Sequence, residues 1–350
     1  MIAPAPPDPP KRVLIVKPSS LGDVVTATPV LRGLKRTYPG AAVAWLLGAP
    51  YVPLLEHDSD LDEIIVFDRR RLGRAWRSIP ALGALRALNR RLRRGAFDWT
   101  IDLQGLFRSA YFTGRTKAKL RAGFAHPREG SARLFYNRRV AVAAEHTVDQ
   151  NVELARALGL DARVEDLSLQ VSPAGREFVE RFLAQHGLTE GGYVVCAPPT
   201  RWPTKRYPPR HWRRVAAGLA ERMPVVLSGA PGDREWCSAV AEGLGAGVFN
   251  AAGQTGIAEM VALIAASAGV VCSDSAAKFI APAVGVGCVV LVGPTQVAKT
   301  GPVGGGRAVV SEAACQGCLK RACRHVTCME LIDPADVLTA AVAMLAEGVR

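Results

Sequence analysis

Residues 12–25 read RVLIVKPSSLGDVV, and the fold follows from how this stretch changes character. Val13 to Val16 form an unbroken apolar run, the pattern of a strand buried on both faces. Lys17 to Asp23 are polar or small apart from Pro18 and Leu21, and VVTATPVLRGLKRTY then places apolar residues at helical intervals. Strand, tight loop and helix in this order are the opening unit of an open α/β sheet. Ligands bind such sheets in the crevice outside the carboxyl ends of the strands. The loop presents Ser19, Ser20, Gly22 and Asp23 there, and one of these groups is the first functional candidate.

The same rhythm continues outward. AVAWLLG (42–48) and EIIVFD (63–68) read as strands with a helical piece between them, WTIDLQG (99–105) ends in a polar loop with Asp102 and Gln104, and HTVDQNVELARALGL (146–160) is helical. Strands alternating with helices predict a parallel sheet with right-handed crossovers. The expected organisation is a disordered proline-rich leader at 1–11, a doubly wound domain at 12–165 and a linker at 166–174. A second domain of the same kind spans 175–332, with strands at YVVCAPP (193–199), PVVLSGA (224–230), GVVCSD (269–274) and CVVLVGPT (288–295). Residues 333–350 begin DP, an N-cap followed by a first-turn proline, and form a terminal helix.

Composition narrows the class. The chain has 350 residues, 49% hydrophobic and 21% charged, which fits a globular protein with two cores. No apolar run reaches the ~18 residues of a membrane span, and the leader lacks a signal-peptide core, so a cytoplasmic protein is expected. A formal charge of +13 calls for an acidic partner: nucleic acid, an anionic lipid surface or a phosphorylated substrate. Arg69 to Arg94 carries ten arginines and no acid, with Leu82, Leu85, Leu88 and Leu92 at helical spacing. It reads either as a solvated helix face or as a contact for phosphates or lipid headgroups.

Two segments of the second half suit a phosphate. GVVCSDSAAKFIAPAVG ends a buried strand at Ser273 and Asp274, and Ser275 is expected to open a helix whose free N–H groups attract an anion. An ordinary capped helix is the plain alternative. TRWPTKRYPPRHW (200–212) follows a strand directly, so Thr200, Lys205 and Arg206 lie on a loop at the same sheet edge, where a lysine can neutralise a diphosphate. No GxGxxG occurs in the first half and no P-loop occurs anywhere. Of eight cysteines, Cys196, Cys237, Cys272 and Cys288 lie in or near apolar segments. Cys315, Cys318, Cys323 and Cys328 cluster as C-x2-C-x4-C-x4-C, open to structural zinc, packed thiols or an adventitious disulfide.

Together, RVLIVKPSSLGDVVTATPVLRGLKRTYP, DWTIDLQGLFRSAYFTG, REGSARLFYNRRV, TKRYPPRHW and CSDSAAKFIAPAVGVGCVVLVGPT resemble the bacterial heptosyltransferases of glycosyltransferase family 9. The likeness covers nearly the whole chain after the leader. It implies a GT-B fold: two Rossmann-like domains facing across a cleft, acceptor on the first, nucleotide-sugar on the second, and a C-terminal helix crossing back to the first. It also implies transfer from ADP-L-glycero-β-D-manno-heptose to Kdo-lipid A, without a cofactor or metal, at the cytoplasmic face of the inner membrane. On this basis Asp23 is the base. Thr200, Lys205, Asp233, Thr255, Asp274, Ser275, Ala276 and Lys278 are the donor residues, with Asp233 at the ribose and Thr255 at the adenine. Ser20, Arg70, Arg71, Arg74 and Arg128 are the acceptor residues. The chain departs from the family's D-[ST]-G-x-x-H pattern by carrying Ala276 and Phe279, so one polar donor contact is missing and Lys278 is the expected replacement.

The resemblance implies one inverting displacement, with Asp23 accepting the acceptor's hydroxyl proton and Lys205 meeting the leaving diphosphate. Two other readings use the same residues. One is a GT-B glycosyltransferase with another donor or acceptor. The other is a non-catalytic basic protein binding membrane or nucleic acid, against which stand the absence of a nucleic-acid module and only 6% aromatics.

Overall fold

A computed structural model describes residues 8–74 and 77–348. The chain divides into two compact units between Leu167 and Ser168. Unit 1 holds β1 (Arg12–Val16), β2 (Ala42–Gly48), β3 (Glu63–Phe67), β4 (Trp99–Asp102), β5 (Leu120–Phe124) and β6 (Arg138–Val140) in one sheet, ordered β3-β2-β1-β4-β5-β6. Every pairing is parallel. Chain order runs outward from β1 to β3 and then returns to β4, so the loops after β1 and β4 diverge. Such a topological switch point opens a crevice at the carboxyl edge. β1 lies between β2 and β4, with Val16 opposite Leu46 and Asp102. That central place is why Val13 to Val16 are all completely buried.

Unit 2 repeats the plan with β7 (Val194–Ala197), β8 (Val225–Leu227), β9 (Val248–Asn250), β10 (Gly269–Ser273), β11 (Cys288–Val292) and β12 (Arg307–Val310). The order is β12-β11-β10-β7-β8-β9, again all parallel, with the switch between β7 and β10. Both α/β units match the fold class read from the sequence. The terminal helix Pro334–Glu347 starts as expected, with Asp333 Oδ1 accepting the Ala335 N–H at 2.9 Å. Val337, Ala341 and Met344 bury into the unit 2 core, and the helix packs on Pro209–Ala220, β10, β11 and β12.

The leader needs a partial correction. Residues 1–7 lie outside the described residues. From Asp8 the chain is already docked: the Trp99 indole N–H donates to the Asp8 carbonyl at 3.1 Å, and the Lys11 and Arg12 N–H groups donate to Asp98. The arginine run forms two helices, Arg69–Leu72, capped by Asp68, and Ile79–Arg94, capped by Ser78. In the second, Leu88 and Leu92 are buried, as their spacing requires, and the arginines face outward.

Candidate active site

The unit 1 site grows from the end of β1. Lys17 is 1% exposed, and its ammonium donates to the Leu103 carbonyl at 2.5 Å. Burial is the largest influence on it and, only partly opposed by the Asp23 charge, brings its pKa down to about 8. After Pro18 and Ser19 the chain turns into the short helix Leu21–Val25 with Ser20 as N-cap. Asp23, in its first turn, folds back on the cap: Oδ2 accepts both the Ser20 N–H at 2.9 Å and the Ser20 hydroxyl at 2.8 Å. Oδ1 accepts from Arg128 Nη2 at 3.0 Å. Burial alone would raise the Asp23 pKa. Lys17, Arg128 and the two Ser20 hydrogen bonds outweigh it and hold the carboxyl at about 2, so it is ionised at neutral pH.

Arg128 reaches this place because its loop is fastened to the loop after β4. The Glu129 N–H donates to the Gly105 carbonyl at 3.0 Å, and the Phe107 N–H donates to Glu129 Oε2 at 2.6 Å. Gly105 has φ +67°, and a Cβ there would stand 3.2 Å from both the Arg128 nitrogen and the Pro127 side chain. Only glycine fits without strain. Below it, buried Asp102 accepts the Tyr136 hydroxyl at 2.7 Å and the Gln104 N–H at 2.8 Å. Burial pushes its carboxyl up despite those bonds.

The structure therefore brings Ser20, Asp23 and Arg128 together and adds Lys17, which the sequence reading passed over. A lysine directly after a fully apolar strand was the available signal. Ser20 is committed to Asp23, so its role here is to orient the carboxylate. Arg70, Arg71 and Arg74 are exposed at the same carboxyl edge, but they follow β3, two strands and so about 10 Å across the sheet from β1.

The unit 2 site forms at the second switch point. Asp274 follows β10 with its carboxylate buried. Oδ1 pairs with Lys278, while Oδ2 meets Lys205 Nζ at 2.7 Å and accepts the Thr295 hydroxyl at 2.5 Å. Burial opposes ionisation, but the two lysines prevail and lower the Asp274 pKa. Burial is likewise the main influence on Lys205 and lowers its pKa despite Asp274. Lys205 also lies 4.5 Å from the centre of the Trp202 ring. Thr200 Oγ1 approaches the Asp274 carbonyl at 3.5 Å, and the Ser273 hydroxyl ties β10 to the Pro198 carbonyl at 2.7 Å. Thr200, Lys205 and Asp274 thus converge, joined by Thr295 from the end of the stretch CVVLVGPT.

Other donor expectations shift. Ser275 does not open the helix: its first residue is Ala277, Ala276 is the cap, and it runs only seven residues with Pro282 inside. Asp274 cannot cap it because its carboxylate is turned inward by the lysines. Lys278 is 4% exposed, paired with Asp274 and 4.8 Å from the Phe279 ring centre, so its ammonium is not offered to a ligand. The unexpected Phe279 is 6% exposed and serves packing. Asp233 accepts the Ala230 N–H at 3.0 Å and lines a recess of about 360 Å³ with Pro199, Arg206, Gly232, Glu235, Trp236 and Ala239. Thr255 lies on the loop after β9 and is not among the residues lining that recess.

All eight cysteines are free thiols. Cys315 and Cys318 are exposed and Cys328 is buried, and among the described residues no three His, Cys, Asp or Glu side chains gather as a metal site. Burial pushes the Cys196, Cys237 and Cys288 thiols up to about 12. No helix among the described residues is long and apolar enough to cross a membrane.

Comparison with known proteins agrees with this architecture. The chain is 32% identical to lipopolysaccharide heptosyltransferase 1 of Pseudomonas aeruginosa, covering 90% of this chain and 88% of that protein. Its fold matches a glycosyltransferase family 9 structure from Veillonella parvula (TM-score 0.80, 21% identity, 96% and 97% of the two chains). It also matches the E. coli heptosyltransferase WaaC with ADP (TM-score 0.76, 24% identity, 95% and 99%). The model of glycosyltransferase family 9 (heptosyltransferase) matches residues 85–328, and with two switch-point sites on two parallel sheets the chain belongs to that family.

Proposed function

We propose that the protein transfers heptose from ADP-L-glycero-β-D-manno-heptose to the Kdo-lipid A inner core by one inverting displacement. The observation that carries this reading is Asp23, a carboxylate held ionised and aimed by Ser20 and Arg128 at the unit 1 switch point. The names of the relatives support heptose and lipopolysaccharide, and the ADP in the WaaC structure supports the nucleotide. An acceptor hydroxyl oxygen forms the new bond to the anomeric carbon as the bond from that carbon to the diphosphate oxygen breaks. The hydroxyl proton passes to Asp23, and ADP departs with the electron pair. Lys205 offsets the charge growing on the diphosphate, and the Asp233 recess takes the nucleoside part.

A carboxyl at about 2 is a weak base, so its proton arrives late, once bond formation has acidified the hydroxyl. Arg128 bears on this directly. Its side chain is 53% exposed, and an anionic acceptor group competes with Asp23 for the guanidinium. Pairing with the acceptor draws Arg128 away and lets the Asp23 pKa rise as substrate binds. Arg70, Arg71 and Arg74 supply further positive charge toward a phosphorylated lipid. With net charge +13, this fits peripheral attachment to an anionic inner-membrane surface from the cytoplasmic side.

The test is incubation with ADP-heptose and Kdo-lipid A, followed by mass measurement of the lipid. One added heptosyl residue is expected. An unchanged lipid, together with transfer from another sugar nucleotide, would overturn the donor assignment.

A further inference from the structure

Unit 1 carries a second basic feature away from Asp23. On the helix Ile79–Arg94, Arg86, Arg90 and Arg93 follow one another at steps of four and three, which puts them on one face. With Asn89 and with Arg115 from the last turn of Phe107–Thr116, they line a shallow recess of about 240 Å³. Neither helix contains an acidic residue, and no carboxylate pairs with Arg86, Arg90, Arg93 or Arg115 among the described residues. Their neighbour Arg91, on another face, is by contrast paired with Glu63 at 2.7 Å. Four exposed guanidiniums that line one recess without a counter-charge concentrate positive potential there and attract an anion.

Asn89 adds to this. Its Nδ2 donates to the Tyr111 hydroxyl at 2.8 Å, while Oδ1 is buried without a partner. Turning the amide over keeps a hydrogen bond with Tyr111 and replaces the orphaned acceptor with an N–H donor, the group an anion needs.

The recess is not the acceptor site. Arg115 ends a helix that leads into the start of β5, so it lies toward the amino edge of the sheet, whereas Asp23 lies at the carboxyl edge. The same helix face supplies a clue to the occupant. Ile79 stands seven residues before Arg86, two turns along that face, and is 86% exposed. A 16-residue helix, about 24 Å long, with an apolar tooth at one end and a row of arginines along it has the make-up of a segment that lies on a bilayer. A soluble phosphate would have no use for the isoleucine.

We infer that the recess of Arg86, Asn89, Arg90, Arg93 and Arg115 is a phosphate site for anionic phospholipid headgroups, seating unit 1 on the membrane surface with Ile79 dipping into the interface. This rests on the membrane-bound acceptor proposed above and names the surface that meets the bilayer.

The test is co-sedimentation of the full chain with vesicles of phosphatidylglycerol and phosphatidylcholine, compared with vesicles of phosphatidylcholine alone. Binding is expected only to the anionic vesicles. Arg90→Ser with Arg93→Ser should weaken it about 25-fold, at about fivefold per arginine. The charge-matched pair Arg176→Ser with Arg222→Ser, exposed on unit 2, should change it little. Arg115→Ser, on the other helix, and Ile79→Ser should each weaken binding as single variants. Heptosyl transfer to a detergent-dispersed acceptor should stay at the parent rate in all of them. Equal loss from both double variants would reduce the effect to net charge and overturn the site. Stoichiometric binding of inorganic pyrophosphate, lost in the Arg90 and Arg93 variant, without vesicle binding would assign the recess to a soluble ligand and overturn the lipid reading. Vesicle binding that follows the recess residues while no heptose is transferred would overturn the proposed reaction and leave this site standing.

Discussion

Replacing Asp23 by Asn removes the charge of the carboxylate while keeping its size, and the surroundings set what that should cost. Asp23 is held at about 2 against an ordinary 3.8. At 1.36 kcal/mol per pKa unit, the difference corresponds to about 2 kcal/mol of folding stability from the ionised form. The side chain is 19% exposed, so little of this is lost to solvent screening, although the part due to half-exposed Arg128 is the most easily screened. Because the folded pKa is the lower one, the contribution is complete above about pH 4 and disappears as pH falls through 2. Denaturant midpoints of parent and variant should therefore differ by the full amount at pH 7, and by about half of it at pH 3. The same substitution should lower kcat by about 10² to 10⁴, the usual worth of a general base. Binding of ADP to the variant, followed by calorimetry, should be unchanged. A stability difference that stays constant from pH 7 to pH 3 would refute the electrostatic account of Asp23, and undiminished kcat would remove it as the base.

Two further substitutions separate holding from binding. Lys278→Met breaks a wholly buried pair and should cost about 3 kcal/mol, read from denaturant midpoints, whereas Lys205→Met should leave stability nearer the parent and weaken ADP about tenfold or more. A reversed outcome would exchange the roles given to the two lysines. Gly105→Ala forces a left-handed φ on alanine and crowds the Arg128 backbone, so it should destabilise by about 1–2 kcal/mol and raise KM for the acceptor with KM for ADP-heptose unchanged.

Much of the fold is legible in the sequence because the central strands must be apolar on both faces. β1, β2, β7, β10 and β11 are dominated by Val, Leu, Ile, Ala and Cys, with Trp45 the one aromatic among them. β6, β9 and β12 escape the reading for the opposite reason. Each is the edge of its sheet, three or four residues long, and covered on too few sides to need an apolar run. The site divides similarly. Asp23 and Asp274 are found because each sits just beyond a buried strand, a position local sequence can mark. The contacts of Lys17, of Thr295 and of the loop that fastens Arg128 to Gly105 depend on neighbours 85 or more residues away for Lys17 and some 20 for the others, so the sequence marks where these residues stand but not what they touch. Lys278, expected at the donor, stands one helical turn from Asp274 and pairs with it, and its burial is a property that local spacing does not mark.

The unequal loading of the two Asp23 oxygens has a consequence for the end of each cycle. Oδ2 is saturated by Ser20, so under the proposed reaction an incoming proton would land on Oδ1, the oxygen that Arg128 would vacate. Under the proposed reaction, when product left and the guanidinium returned, the carboxylic acid would again become as acidic as a group with pKa about 2 and would shed its proton to water. A base held in this way would need no relay of side chains to recover. In that scheme a single arginine would couple the recharging of the base to the departure of product.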